Sequence, residues 1–273
     1  MELIKLKNLL YNPKGYDTYQ QFMDFWETQV SPSFDMGSEG LSEESKIIIR
    51  DFSRNENSVK VIFDNQKYSV LYISENLKDI FGYTSKEFME YNMLLVFHSL
   101  AFEHLTMPIK VAKWSTKIQK NLPNDGSIRH FKLTICGLKV KDKNRRTLSV
   151  LARISTIEFT ENDEVKTIII SVENISHLMK SNAYWARLVC GKEQEHKFYF
   201  SSDPAHNTGK DIVSNREKDV LRLIAKGMES KEIAKELFIS TGTVENHRRN
   251  MIARTGARDT TALLQICISC GII

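Results

Sequence analysis

The sequence is short of the residues that crosslink or punctuate a chain. Four cysteines in 273 residues, at positions 136, 190, 267 and 270, are too few and too scattered for a disulfide framework. Cys267 and Cys270 form a lone Cys-x-x-Cys pair with no second Cys or His pair nearby, so a zinc site is not expected. Five prolines and twelve glycines leave no room for long low-complexity stretches, and no internal repeat stands out. No uncharged run reaches the roughly 20 residues that a membrane-spanning helix needs. The longest, residues 260–273, reads as a buried helix. Charges interrupt the first apolar residues too early for a signal peptide, so a cytoplasmic setting with no membrane partner is expected. Phosphate-binding glycine loops, nucleophile elbows and His-Glu-x-x-His pairs are all missing, which gives an enzyme reading nothing to rest on. The early acids and later lysine of a phosphoacceptor domain are lacking too.

What is present is ordinary globular material. Hydrophobic residues make up 41% and charged residues 26%, enough for real cores. The length suits two domains better than one. A formal net charge of +4 permits a nucleic-acid partner without demanding one.

From residue 214 the helix signals are dense. Ser214 and Glu217 have the spacing of a capping box, in which the hydroxyl accepts from the Glu217 amide and the carboxylate reaches back to Ser214. Val220, Leu221 and Ile224 follow at helical spacing, and Gly227 is placed to end the helix in the left-handed conformation. Ser230 is expected to cap a second, short helix with Ile233, Ala234 and Leu237 on one face. Ser240 or Thr241 starts a third, in which Val244, His247 and Met251 recur until Gly256 stops it. Asp259 caps a fourth, carrying Ala262, Leu263, Ile266, Cys267 and Cys270 on one side and closed by Gly271. Four short helices with a tight turn between the second and third are the pattern of a helix-turn-helix unit.

The third helix leaves Thr243, Glu245, Asn246, Arg248, Arg249 and Asn250 outside its apolar face. A helix entering the major groove needs such side chains toward base edges and its N-terminal turn toward phosphate. Arg suits guanine and Asn suits adenine through bidentate geometry. Between 241 and 258, arginines at 248, 249, 254 and 258 stand against one acid, Glu245. A solvated helix face is the plainer reading of such charges; four consecutive capped helices favour the groove.

These residues also carry a resemblance. Ser214-Asn215-Arg216-Glu217, Val220-Leu221, Ala225-x-Gly227, Ser230-Lys231-Glu232-Ile233-Ala234, Leu237, Ile239-Ser240 and Thr243-Val244-x-x-His247 resemble the LuxR-type DNA-binding domain of bacterial regulators, over nearly all of 211–273. The resemblance implies an all-α four-helix domain that binds double-stranded DNA. Glu245, Asn246 and Arg249 would face the bases. Lys231, Ser240, Thr243 and His247 would lie against phosphates or hold the helix in place. The fourth helix would pair two copies across a two-fold axis, making a homodimer. Asn215 departs from the family where Pro is frequent, and Thr255 where Leu is preferred, which is expected to weaken one core contact. Glu245 can accept from cytosine N4 but repels phosphate, so it is expected to add selectivity at the expense of affinity.

Upstream, residues 59–63 and 68–73 flank a polar turn and read as a β-hairpin. Helical material follows from 75 to about 122, broken at Gly82 and Pro108, then a turn at 123–126 and three strand-like runs at 128–140, 147–158 and 165–173. That order predicts an α+β domain: a five-stranded antiparallel sheet with helices on one face. The order resembles the PAS sensory fold, as does the segment Ile73-Ser74-Glu75-Asn76 with Ile80-Phe81-Gly82-Tyr83-Thr84-Ser85-Lys86-Glu87-Phe88. Thr84 and Glu87 read as a second capping box. No Cys lies within 75–122, so flavin-adduct photochemistry is not expected. His98 and His104 are read as half-buried core histidines, with haem ligation as the alternative; no haem or other cofactor is predicted. Tyr83, Trp114 and Phe131 are read as core or as the lining of a pocket for an unidentified small ligand. A dimerisation module without a ligand is an equal reading.

The division expected is a helical extension over 1–57, with an amphipathic helix at 16–28; a PAS-like sensory domain over 58–178; a helix and linker over 179–210, helical from 175 to 190; and the helix-turn-helix domain over 211–273. Lys197-Phe198-Tyr199-Phe200 could add a strand, with no partner evident. The sequence predicts a dimeric, sequence-specific DNA-binding transcriptional regulator, not an enzyme, controlled by its PAS-like domain. The alternative is a ligand-binding or interaction module of PAS type whose C-terminal helices bind a protein partner.

Overall fold

The computed structural model describes residues 57–273 apart from positions 68, 92–98, 102–103, 105–106, 120, 123–130, 162–164, 192–195 and 205–210. The helix expected at 16–28, the turn at 123–126 and His98 lie outside the described residues.

Strands β1 (Ser58–Asp64) and β2 (Ser69–Ile73) form the expected hairpin, with Val61 opposite Ile73. Asp64 builds its turn, because Oδ1 accepts from the amides of Gln66 (2.8 Å) and Lys67 (2.9 Å). Helix α1 (Leu77–Phe81) ends at Gly82, which holds φ +80°. Thr84 and Glu87 then open α2 (Ser85–Tyr91): the Thr84 amide donates to Glu87 Oε2 at 2.9 Å and the Glu87 amide to Thr84 Oγ1 at 3.2 Å. Helix α3 runs Met107–Gln119. Pro108 therefore starts this helix and does not break it, since a first turn needs no amide donor there.

Strands β3 (Lys132–Lys141), β4 (Thr147–Phe159) and β5 (Val165–Asn174) follow as the three expected runs. The sheet does not stop at five strands. β6 (Trp185–Cys190) and β7 (His196–Ser201) extend it to seven, all neighbours antiparallel, in the order β2-β1-β5-β4-β3-β6-β7. The helix expected up to residue 190 is thus corrected to a strand. β6 pairs with β3 and supplies the missing partner of Lys197–Phe200, as Leu188 faces Phe198 and Ala186 faces Phe200. The helical reading failed because β6 is buried along its whole length. A strand buried on both faces lacks the period-two alternation that betrays a half-buried one.

Each face of the sheet has its own cover. Val59, Val61 and Phe63 of β1 pack on Leu77, Phe81 and Phe88 of α1 and α2. Leu133 and Ile135 of β3, with Ala186 and Leu188 of β6, pack on Met107 and Val111 of α3. The alternate residues Cys136, Leu151, Trp185 and Tyr199 belong to a different core, which they share with the C-terminal helices. Register is adjusted at Gly137, where β3 bulges against β4. Its φ is +84°, and a Cβ there would sit 2.7 Å from the Ala183 carbonyl oxygen, so only glycine fits.

Candidate nucleic-acid interface

The C-terminal helices are α4 (Asn215–Ala225), α5 (Ser230–Glu236), α6 (Thr241–Thr255) and α7 (Thr260–Ser269). Their ends follow the sequence closely. Both halves of the Ser214–Glu217 capping box form, Ser240 Oγ accepts from the Thr243 amide at 3.0 Å, and Asp259 Oδ1 accepts from the Ala262 amide at 2.8 Å. Gly227, Gly256 and Gly271 take the left-handed conformation. One cap differs. Glu229, not Ser230, precedes α5, with its amide donating to Glu232 Oε2 at 2.7 Å, and Ser230 is the first helical residue.

Val220, Leu221, Ile233, Val244, Met251 and Leu263 are buried together and hold α6 on its supports. Thr255, expected to weaken this core, is fully buried with its hydroxyl donating to the Met251 carbonyl at 2.8 Å. Glu217 ties α4 to α6 through Arg254 at 2.5 Å, and Arg254 Nε also donates to the Ile212 carbonyl at 3.0 Å. Burial alone would raise the Glu217 carboxyl, but the Arg254 guanidinium and the Ser214 donors outweigh it and hold the pKa below its ordinary value.

Of the candidate DNA-contacting residues, Lys231, Ser240, Glu245, Asn246, Arg249 and Asn250 are exposed, while Thr243, His247 and Arg248 are half-buried. All but Lys231 lie on α6 or at its cap, in one run from its N-terminus. Arg249 Nη2 donates to Asn246 Oδ1 at 2.9 Å, which presents the two as a pair. Arg248 behaves differently. Its Nη1 donates to Ser230 Oγ at 2.6 Å and lies 3.4 Å from Glu245 Oε1, and Ser230 Oγ also bonds Glu245. Arg248 and Glu245 thus clasp α6 to the start of α5. The one strongly exposed aromatic among the described residues is Phe238, 95% exposed in the turn between α5 and α6, where it holds φ +55°.

The four helices are also seated on the sheet, which sequence reasoning missed. Met179 and Ala257 form an antiparallel bridge, with Lys180 N to Gly256 O at 2.9 Å and Arg258 N to Leu178 O at 2.8 Å. The Trp185 indole donates to the Thr255 carbonyl at 3.1 Å. Arg187 of β6 and Lys218 of α4 share Asp211, at 3.1 and 2.8 Å. All four cysteines are buried and unbridged. Burial pushes the Cys190 thiol up to about 11 and the Cys267 thiol up to about 12, so both stay protonated near neutrality.

In the sheet domain, an apolar cavity of about 190 Å³ lies between β1, β4 and β5 and the helices, lined by Phe63, Leu77, Phe81, Tyr83, Phe88 and Val150 among others. Trp114 and Phe131 belong instead to the α3 side of the core. Both nitrogens of His104 are engaged: Nδ1 accepts from the Lys139 amide at 2.8 Å and Nε2 lies 3.2 Å from the Asn182 carbonyl oxygen, which assigns the proton to Nε2. Among the described residues no group of three or more His, Cys, Asp or Glu is arranged to hold a metal ion, and no helix is long and apolar enough to cross a membrane.

A four-helix unit presenting a polar, arginine-bearing helix beyond a tight turn has the helix-turn-helix arrangement. Residues 211–267 match the family described as bacterial regulatory proteins, luxR family, whose members are generally not enzymes. Over 65 residues the chain is 38% identical to the transcriptional regulatory protein MctR of Rhizobium johnstonii, covering 24% of this chain and 30% of MctR. Over 57 residues it is 40% identical to the oxygen regulatory protein NreC of Staphylococcus aureus, covering 21% of this chain and 26% of NreC. The matched part spans less than a third of either relative's length. Among solved structures, Vibrio cholerae VqmA aligns over 82% of this chain and 87% of its own, at 14% identity and a TM-score of 0.29, too loose a likeness to carry more.

Proposed function

We propose that this protein is a sequence-specific transcriptional regulator that reads double-stranded DNA as a homodimer through α6, under the control of its sheet domain. The observation that carries this reading is the polar face of α6, where Ser240, Glu245, Asn246, Arg249 and Asn250 are exposed while Val244, Met251 and Thr255 opposite them are fully buried. Asn246 and Arg249 are its base readers, with Lys231, Ser240, Thr243 and His247 toward phosphate. Glu245 and Arg248, clasped to Ser230, set the angle of the helix. Two copies paired through α7 would bring two such helices about 34 Å apart, one turn of DNA.

The strand order β2-β1-β5-β4-β3 with helices on one face supports a PAS-type sensor extended by β6 and β7. Its apolar cavity suits a small apolar ligand without a metal or cofactor. In-vitro selection of DNA sites with the full chain tests the proposal. A two-fold symmetric site whose binding falls steeply with salt is the expected result, because phosphate contacts release counterions. No retention of DNA at low salt would favour the rival, in which the C-terminal helices dock a protein.

A further inference from the structure

A second cavity, of about 300 Å³, lies at the seam between the sheet and the end of α7. Its floor is one row of the sheet. Thr134 of β3 is in register with Arg153 of β4 on one side and Arg187 of β6 on the other, which sets the three side by side. Lys132 and Ser155 come two residues along the same face. The wall is residues 269–271. Three cations line this space and no acid does.

The cations are not equally occupied. Arg153 donates to the Ser269 carbonyl at 2.9 Å and to Glu173 at 3.2 Å. Arg187, with a side chain only 5% exposed, donates through Nε to Asp211. Its two Nη groups make no hydrogen bond among the described residues, and the residue lines the cavity. The hydroxyl of buried Thr134 and the ammonium of exposed Lys132 make no hydrogen bond among the described residues either. Donors that line a cavity without a protein acceptor are open to an anion that enters it, and the charge on the guanidinium strengthens the bonds they can make. A helix C-terminus would repel an anion if its carbonyls were bare. Here they are taken: Ile266 O by the Cys270 amide, Cys267 O by the Ile272 amide, Ile268 O by the Gly271 amide and Ser269 O by Arg153.

We infer that this seam cavity binds a small oxyanion, a carboxylate or phosphate, on the paired Nη donors of Arg187 with Thr134 and Lys132 as further donors. A guanidinium edge matches two oxygens of either group at once. Because the ligand lies between the sheet and α7, its binding holds the DNA-binding helices more firmly on the sensor. The site is separate from the apolar cavity and does not depend on which DNA is read.

The test is titration calorimetry and thermal unfolding of the full chain with inorganic phosphate, acetate and succinate. Saturable binding at one site per chain with a raised Tm is expected for at least one of them, and the tightest names the ligand class. Lys132→Gln and Thr134→Val should each weaken it by about tenfold, the loss of one charge-assisted hydrogen bond. Neither variant removes the Arg187–Asp211 pair, and the Tm of each without anion checks that it is folded. Arg249→Ala should leave the binding unchanged. The inference fails if none of the three anions binds saturably, if the Lys132 and Thr134 variants bind as before, or if Arg249→Ala abolishes binding, which would put the anion on the DNA face.

Discussion

Arg249 and Glu245 sit four residues apart on one helix and do opposite things. Arg249 is exposed and held toward solvent beside Asn246. Replacing it by alanine should cost about 1–3 kcal/mol on a selected site and relax preference at one base position. Footprinting across single-base variants of that site checks this, and unchanged protection would move the reading face elsewhere. Glu245 bonds Ser230 and approaches Arg248, and in the proposed complex it would bring negative charge toward the phosphates. Glu245→Gln keeps the hydrogen bond and removes the charge. Affinity for unrelated duplex should rise and the ratio of specific to non-specific binding should fall, as read by competition. A ratio that rises instead would mean that the acid only props the helix.

Local rules explain why α4 to α7 could be read from the sequence nearly residue by residue. Ser214, Ser240, Asp259 and three glycines each act within a turn of themselves, so the information is in neighbouring letters. The Glu229 cap escaped because long acids cap less often than Ser230 would. β6 escaped for a long-range reason: Leu188 is buried on the α3 face of the sheet and Trp185 on the face covered by the C-terminal helices, so both faces of the strand are apolar. The candidate base readers were legible as a polar face, but the clasp on Ser230 and the seating on the sheet were not, since each joins residues far apart in sequence. The electrostatics of α4 also make a testable pH dependence. Glu217 and Asp211 are buried, which alone would raise them, yet Arg254 on the one and Lys218 with Arg187 on the other hold both carboxyls below their ordinary 4.5 and 3.8. Depressed carboxyls contribute stability that is complete above those ordinary values and is lost as pH falls below them through the depressed ones. Urea midpoints should therefore be flat from pH 7 to about 5 and fall below pH 4.5. Arg254→Met should lower the midpoint at pH 7 and flatten the acid limb; an unchanged limb would remove Glu217 from the account.

At the scale of the molecule, the sheet domain and the C-terminal helices share one core, in which Cys136, Leu151 and Trp185 of the sheet join the set that includes Met251, Ile266 and Cys267. Under the proposed function, a shift of the sheet reaches α6 without a hinge, through the Met179–Ala257 bridge and the indole bond to Thr255. Gly256 is where that coupling can be broken selectively. It holds φ +73°, and a Cβ there would lie 2.5 Å from Ser181 Oγ and 3.1 Å from the Met179 terminal methyl. Gly227 has nearly the same backbone, φ +82°, with nothing within 4 Å of its Cβ position. Alanine at either costs about 1–2 kcal/mol of left-handed strain, but only Gly256→Ala also pushes against the sheet domain. Hydrogen exchange at the Lys180 and Arg258 amides, which close the bridge, should accelerate in Gly256→Ala and stay near wild type in Gly227→Ala. Equal acceleration in both would mean that the seam merely follows the stability of the helices, and that the two domains are not coupled through it.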